Sequence, residues 1–272
     1  MKLSDVVVLG LPLWMPLERL LGGAWGTTTE GDGTVTARAE RSPVEAADVA
    51  ARLRGLGFGG RALEVQVAPA LPRALVREAR TTDARRRRDT TPGFTRPGTR
   101  LDDEGRMSLT PEVLALRLGE RARGRRVVDL GCGCGGNAIG FARGGAHVIA
   151  VERDAPRLAM ARHNARVYGV SIDFRAGDDA VLEALTGDIL FVDPPWGADY
   201  DRVRTGLNAL PLLGRALAAP GFGEVWAKVP PSFATDEVPG GAVEPFFGEA
   251  DGDRQRVKFL LVRTYAGGLD VT

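Results

Sequence analysis

Cysteine and histidine are nearly absent from this sequence, two of each in 272 residues. Cys132 and Cys134 stand too close together for an ordinary structural disulfide and fall inside a glycine run, which suits a reducing, cytoplasmic compartment. His147 and His163 have no clustered ligands beside them, so no metal site is expected. No stretch approaches the ~20 apolar residues of a membrane span, and no membrane partner is expected. The opening MKLSDVVVLGLPLWMPLERLL is broken by Asp5, Pro12, Pro16 and Glu18 and is followed by no small-x-small cleavage site, so it reads as folded structure. No internal repeat is present. Net charge is only +1, which supplies no global field to attract nucleic acid.

Charge is nevertheless distributed unevenly. Arg73 to Arg100 holds nine arginines against three acids, with Arg85 to Arg88 at its centre, whereas Thr235 to Asp253 holds only acids. Such a run is ordinarily a solvated face; the alternative is a phosphate-binding arm. Residues 1–98 mix strands (TVTARAE, ALEVQVA) with a helix predicted over Pro43 to Leu56, started by Ser42 and closed by Gly57. TTPGFTRPGT then reads as a linker, giving an N-terminal α+β accessory region, 1–98, and a second region, 99–272.

From there the pattern is regular. Thr110-Pro111-Glu112 opens a helix, with a capping hydroxyl, a proline that loses no needed hydrogen bond and an acid favoured by the dipole. RVVDLG, a glycine loop, a short helix, HVIAVER, a helix from Ala155 to Tyr168, SIDFRAG and DILFVD follow. A helical stretch at Leu207 to Ala219 and the strands EVWAKV, AVEPFF and RVKFLLVRTYA complete the chain. This alternation predicts an α/β fold, a mostly parallel sheet with helices on both faces.

GCGCGG, beginning at Gly131, satisfies GxGxxG between a strand and a helix, and Glu152 ends the next strand. Such a loop lets backbone amides approach a ligand while the acid reaches a ribose diol, so an adenosine-containing cofactor is expected. Nicotinamide cofactors and S-adenosylmethionine are both held in this way. Asp129 favours the second, because a carboxylate there suits the ammonium of a methionine moiety and would repel a pyrophosphate. Asp178, past the third strand, is placed either to accept from an adenine amino group or to cap the following helix.

LDDEGRMSLTPE, VVDLGCGCGGNAIGFARGGAHVIAVERD, LAMARHNARVYGV and DILFVDPPWGADY together resemble the class I S-adenosylmethionine-dependent methyltransferases. Within them they are most similar to the trimethylguanosine synthase (RNA cap guanine amino-methyltransferase) family. The similarity covers Leu101 to Tyr200 and implies a Rossmann-like, seven-stranded, mostly parallel sheet. It also implies a pocket for S-adenosylmethionine lined by Ser108, Thr110, Asp129, Gly131, Gly133, Asn137, Glu152 and Asp178, with Pro195, Trp196 and Tyr200 beside the acceptor. The bland alternative for Ser108 and Thr110 is capping and turn formation. The chain departs from the family on the acceptor side: WGADY replaces WGGPxY, Arg106-Met107 replaces a tryptophan before SxTPE, and Val229-Pro230-Pro231-Ser232 replaces a Pro-Arg-Asn segment.

Asp193-Pro194-Pro195-Trp196 follows a buried strand that two prolines cannot extend. An exocyclic amine on a nucleobase is a poor nucleophile, because its lone pair is delocalised into the ring. Asp193 and the Pro194 carbonyl would accept from its two N–H groups and turn the lone pair outward, while Trp196 offers a face for stacking. The expected acceptor is a guanine-like ring in RNA, a nucleotide or a small heterocycle. The rival readings are a nicotinamide-dependent oxidoreductase and a noncatalytic RNA-binding protein that retains the fold.

Overall fold

The computed structural model describes residues 2–197 and 199–265, which form two sheets and a two-residue-strand hairpin. The N-terminal region contains β1 (Ser4–Pro12), α1 (Leu17–Leu21), β2 (Gly26–Thr29), β3 (Thr34–Arg41) and α2 (Pro43–Leu53). It continues through the hairpin of β4 (Gly57–Phe58) and β5 (Arg61–Ala62), then β6 (Glu64–Ala68) and α3 (Arg73–Arg86). Its sheet runs β2-β3-β1-β6 with every pair antiparallel.

Ser42 starts α2 with a capping box, its hydroxyl accepting from the Glu45 N–H while the Glu45 carboxylate accepts from the Ser42 N–H. The helix stops at Leu53, short of the predicted Leu56, because Gly55 turns the chain with φ +66°. Val6, Val8 and Leu11 of β1, Val49 and Leu53 of α2 and Phe58 form one core, and Phe247, from the other end of the sequence, completes it.

Residues 90–99 have almost no regular structure, yet they are fastened along their length. The Thr91 N–H and hydroxyl donate to Asp253 at 2.9 and 2.8 Å in a buried contact, and the Arg100 N–H donates to Asn164 Oδ1 at 2.7 Å. A Pro/Gly/Thr composition signals irregular backbone; it carries no information about what the hydroxyls will bond.

The second region contains α4 (Asp103–Ser108), α5 (Glu112–Arg121), β7 (Arg126–Leu130), α6 (Gly136–Gly144), β8 (His147–Glu152) and α7 (Ala155–Tyr168). It ends with β9 (Asp173–Ala176), β10 (Gly187–Val192), α8 (Pro211–Leu217), β11 (Phe222–Val229), β12 (Ala242–Phe247) and β13 (Val257–Tyr265). The seven strands run β12-β13-β11-β10-β7-β8-β9, with β13 alone reversed against its neighbours. The helical stretch predicted at Leu207 to Ala219 is divided into a 3₁₀ turn over Leu207–Ala209 and α8, whose first residue is Pro211.

Side chains alternate between the two faces of this sheet. Ile189 and Phe191 of β10 pack with Leu114 and Leu118 of α5 and Phe141 of α6, whereas Leu190 and Val192 pack with Leu213 of α8 and Leu210. β10 is therefore apolar at successive positions, as a parallel strand covered on both faces must be. α5 and α6 approach backbone to backbone: a Cβ at Gly119 would collide with the Gly140 carbonyl, and one at Gly140 with that of Ala115. Among the described residues no helix is long and apolar enough to cross a membrane.

Candidate functional site

Strand register brings the site together. Phe191 of β10 sits across from Asp129 of β7 on one side and Trp226 of β11 on the other, and Val192 across from Leu130 and Ala227. One step beyond, Asp193 and Lys228 are neighbours. Alternation points Asp129, Asp193 and Lys228 to the face that α6 covers, at the carboxyl ends of the strands, where open sheets of this kind hold ligands.

Asp193 Oδ2 accepts from Lys228 Nζ at 2.6 Å and from Asn137 Nδ2 at 3.0 Å. Among the described residues no group donates to Oδ1. Lys228 is 4% exposed, with its ammonium 5.1 Å from the centre of the Trp196 ring and 5.5 Å from that of Phe259, and 3.5 Å from the Ser108 carbonyl. Burial pushes the Asp193 carboxyl up, and the charge and hydrogen bond of Lys228, with the Asn137 amide, pull only part of that shift back.

The glycine loop lies alongside. Gly131 and Gly133 have φ of +76° and +54°, and a Cβ on Gly133 would meet nothing within 4 Å, so the backbone there borders open space. The Gly133 N–H donates to Glu152 Oε2 at 2.8 Å, and Glu152 Oε1 accepts from the Asp154 N–H at 2.8 Å. Gly135 is the cap residue of α6, so the helix has no side-chain cap.

Buried polar atoms ordinarily have partners. Here Thr110 Oγ1, both Asp129 carboxylate oxygens and Asn137 Oδ1 are buried with none among the described residues. Burial, with the Asp193 and Glu152 charges beside it, pushes Asp129 up to about 8. The set fits S-adenosylmethionine: Asp129 for the ammonium, the α6 N-terminus, which no side chain caps, for the carboxylate, Glu152 for the ribose diol, and Thr110 and Asn137 for further polar atoms.

Thr110 corrects one expectation, since its hydroxyl does not cap α5. Pro111 takes the cap position, and Glu112 turns aside to accept from the Thr95 N–H and hydroxyl, Tyr168 and Arg143. The Ser108 hydroxyl bonds back to the Glu104 carbonyl within α4. Asp178 caps the 3₁₀ turn at Asp179–Ala184, accepting from the Ala180 N–H at 3.0 Å. Pro194 is buried and Pro195 exposed; Trp196 is half-buried against both cores, with Lys228 on one side of its ring. Tyr200 lines a separate cavity with Arg52 and Arg202. Cys132 and Cys134 are buried, free thiols, both pushed up by burial.

Lys228 is the functional candidate that sequence reading missed. It is one of three lysines in a chain that otherwise uses arginine, and it interrupts the apolar strand EVWAKV. That interruption was the available signal.

The seven-stranded order with one reversed strand, together with the loop after β7, is the fold of the class I S-adenosylmethionine-dependent methyltransferases. Within that class part of the chain is similar to the trimethylguanosine synthases. The model of the RNA cap guanine-N2 methyltransferase family matches residues 124–205. Trimethylguanosine synthase of Schizosaccharomyces pombe is 33% identical over 112 residues, 36% of this chain and 46% of that protein. An uncharacterized RNA methyltransferase of Gloeobacter violaceus is 37% identical over 89 residues, 32% of this chain and 20% of that protein. The chain thus spans less than half the length of these curated relatives. Among solved structures, an RNA methyltransferase from Salinibacter ruber in complex with S-adenosyl-L-homocysteine aligns with a TM-score of 0.40 at 21% identity, over 58% of this chain and 92% of that one.

Proposed function

We propose that this protein is an S-adenosylmethionine-dependent N-methyltransferase acting on the exocyclic amine of a guanine-like base, with RNA or a nucleotide as the carrier. The observation that carries the reading is the asymmetry of Asp193: Oδ2 is fixed by Lys228 and Asn137, and Oδ1 has no donor among the described residues, beside Asp129 and the glycine loop in the strand register. S-adenosylmethionine, when bound, supplies a methyl group already activated by the sulfonium.

The chain's own residues then have to hold and orient the acceptor. Asp193 Oδ1 accepts one amine N–H and the Pro194 carbonyl the other, so the nitrogen lone pair is turned out of conjugation. Two prolines keep that loop extended and offer no competing donor. Trp196, its indole held on one side by the Lys228 ammonium, gives its other face to the base. Most of the rate then comes from alignment. After transfer the amine has a proton to lose, and Asp193, its carboxyl raised by burial, is the nearest base to receive it. In this reading residues 1–98 are an accessory region to the catalytic region 99–272, and the protein works in the reducing cytoplasm.

The test is transfer of labelled methyl from S-adenosylmethionine to short RNAs and to free guanine nucleotides, with the methylated atom located by mass spectrometry. Label on a guanine amine, lost in Asp193→Ala while S-adenosylhomocysteine still binds, is the expected result. Full turnover by Asp193→Ala, or methylation at carbon or oxygen, would overturn it.

A further inference from the structure

A cavity of ≈140 Å³ lies between the N-terminal region and the loops that follow β10 and β11. A single water needs ~10–15 Å³ of free volume, so a small polyatomic group can enter. Four arginines line it: Arg52 from α2, Arg87 just past α3, Arg202 from the loop after β10, and Arg256 just before β13. Tyr200 and Gln255 add polar surface, and no lining residue is acidic.

Two aspartates behind this wall offset part of the charge. Asp48 pairs with Arg52 at 3.1 Å, and Asp83 pairs with Arg87 at 3.0 Å and with Arg256. Arg202 has no ion pair among the described residues. Four guanidiniums against two carboxylates leave the lining positive; Arg52 is already bonded to Asp48 and the Leu20 carbonyl, whereas Arg87 and Arg202 are exposed and open to an incoming anion. The other guanidinium-lined hollow makes the contrast. There Arg19, Arg117 and Arg121 lie against Glu249 and Glu244, which line the same hollow, so every guanidinium meets a carboxylate within it.

The location ties the cavity to the acceptor side. The Gly57 N–H donates to the Arg202 carbonyl at 2.8 Å and the Gly59 N–H to the Pro231 carbonyl at 3.2 Å. A Cβ on Gly57 would collide with the Val203 carbonyl, so the hairpin seats its bare backbone on the segment that follows Trp196 and Tyr200. Pro231 stands three residues beyond Lys228. The N-terminal region thus walls the loops that carry the proposed acceptor-binding residues, and the arginine run at 85–88 contributes Arg87 to that wall.

We propose that this cavity binds a phosphate group of the acceptor, which makes the acceptor a phosphorylated guanine nucleotide or an RNA, not a free heterocycle. Guanidinium forks match phosphate oxygens two at a time, and the excess positive charge is balanced when a phosphate enters. The inference rests on the reading that a guanine-like amine is held at Asp193.

The experiment is calorimetric titration of the full chain with pyrophosphate, guanosine, guanosine 5′-monophosphate and a short guanine-containing RNA. Each is compared with the Arg87→Gln/Arg202→Gln variant, which leaves Asp83 paired with Arg256. Pyrophosphate and at least one phosphorylated guanine ligand should bind the native chain and weaken by ~10-fold or more in the variant, a change of about 1.4 kcal/mol. Guanosine and S-adenosylhomocysteine binding should be unchanged, which also shows that the variant is folded. A response of the RNA without one of the nucleotide assigns the phosphate to a phosphodiester; the reverse assigns it to a free nucleotide. Equal pyrophosphate affinity in both proteins, or no pyrophosphate binding, overturns the proposal. Pyrophosphate binding needs no methyl transfer, so a cavity that behaves as expected in a protein that methylates no guanine would sink the guanine reading and leave the anion site standing.

Discussion

Lys228 Nζ lies 2.6 Å from Asp193 Oδ2 in an ion pair whose lysine side chain is 5% exposed, closed over by Trp196 and Phe259. A pair this dry is costly to break, because removing one partner strands the other's charge away from water.

Replacing Lys228 by Met should therefore lower stability by ~3 kcal/mol or more, read as a shift in the denaturant midpoint. Without the ammonium, only the Asn137 hydrogen bond opposes desolvation at Asp193, and its carboxyl rises further. The acid limb of the pH–kcat profile should move to higher pH, while S-adenosylhomocysteine affinity changes little. Lys228→Arg should keep the acid limb near its native position. An acid limb that does not move in Lys228→Met would remove the lysine from the mechanism.

Asp129 leads to a proton count. Held up to about 8 by burial and by the Asp193 and Glu152 charges, it is largely protonated in the ligand-free protein at pH 7. An ammonium placed against it favours the carboxylate, so S-adenosylhomocysteine binding at pH 7 should release up to one proton, measured by calorimetry in buffers of different ionisation enthalpy. Asp129→Asn should abolish the release and weaken binding. Because the folded carboxyl is raised, stability from this group is full below its unfolded pKa near 4 and declines as pH rises toward 8. Asp129→Asn should flatten that decline; proton uptake on binding to the native protein would contradict the assignment.

Trp196→Ala removes both the stacking face and one of the two rings around Lys228. Loss of ~1–3 kcal/mol of base stacking predicts an apparent KM for the acceptor raised by roughly 5- to 150-fold. An unchanged KM would exclude stacking on this ring.

Glu112 governs acid stability. Burial opposes its ionisation, but hydrogen bonds from Thr95, Tyr168 and Arg143 outweigh that and hold its carboxyl at about 2. Its stabilisation is present above the unfolded value near 4.5 and is lost as pH falls toward 2. Glu112→Gln should lower stability at pH 7 by about 2 kcal/mol, the usual scale for a hydrogen bond to a charged group, and the deficit should shrink as the pH is taken below 4.5. Thermal melting at pH 7 and pH 3 checks both.

Much of the seven-stranded sheet was legible because its signals are local. DILFV is too uniformly apolar for anything but a strand covered on both faces, and the glycine loop has to lie between a strand and a helix. The site was less legible. Asp193 announces itself through two prolines that cannot continue a strand, but Lys228 enters only through register, one position past the neighbour of Val192 in another strand. Thr110 reads as a cap in sequence because capping is what hydroxyls before a helix commonly do; only its buried, partnerless oxygen sets it apart. The seating of the N-terminal hairpin rests on two-residue strands, below any periodicity that a sequence can display.

Phe247 ends β12 of the seven-stranded sheet and fills the core beneath β1 and α2, where Val257 of β13 also packs. The N-terminal core is thus completed by side chains of the seven-stranded sheet. Deleting the first 98 residues would open an apolar face around Phe247 and Val257 and remove two of the four cavity arginines, Arg52 and Arg87, together with the Asp83 that pairs with Arg256. A substitution beneath β1 or α2 is therefore transmitted to the edge of the seven-stranded sheet through Phe247 and Val257.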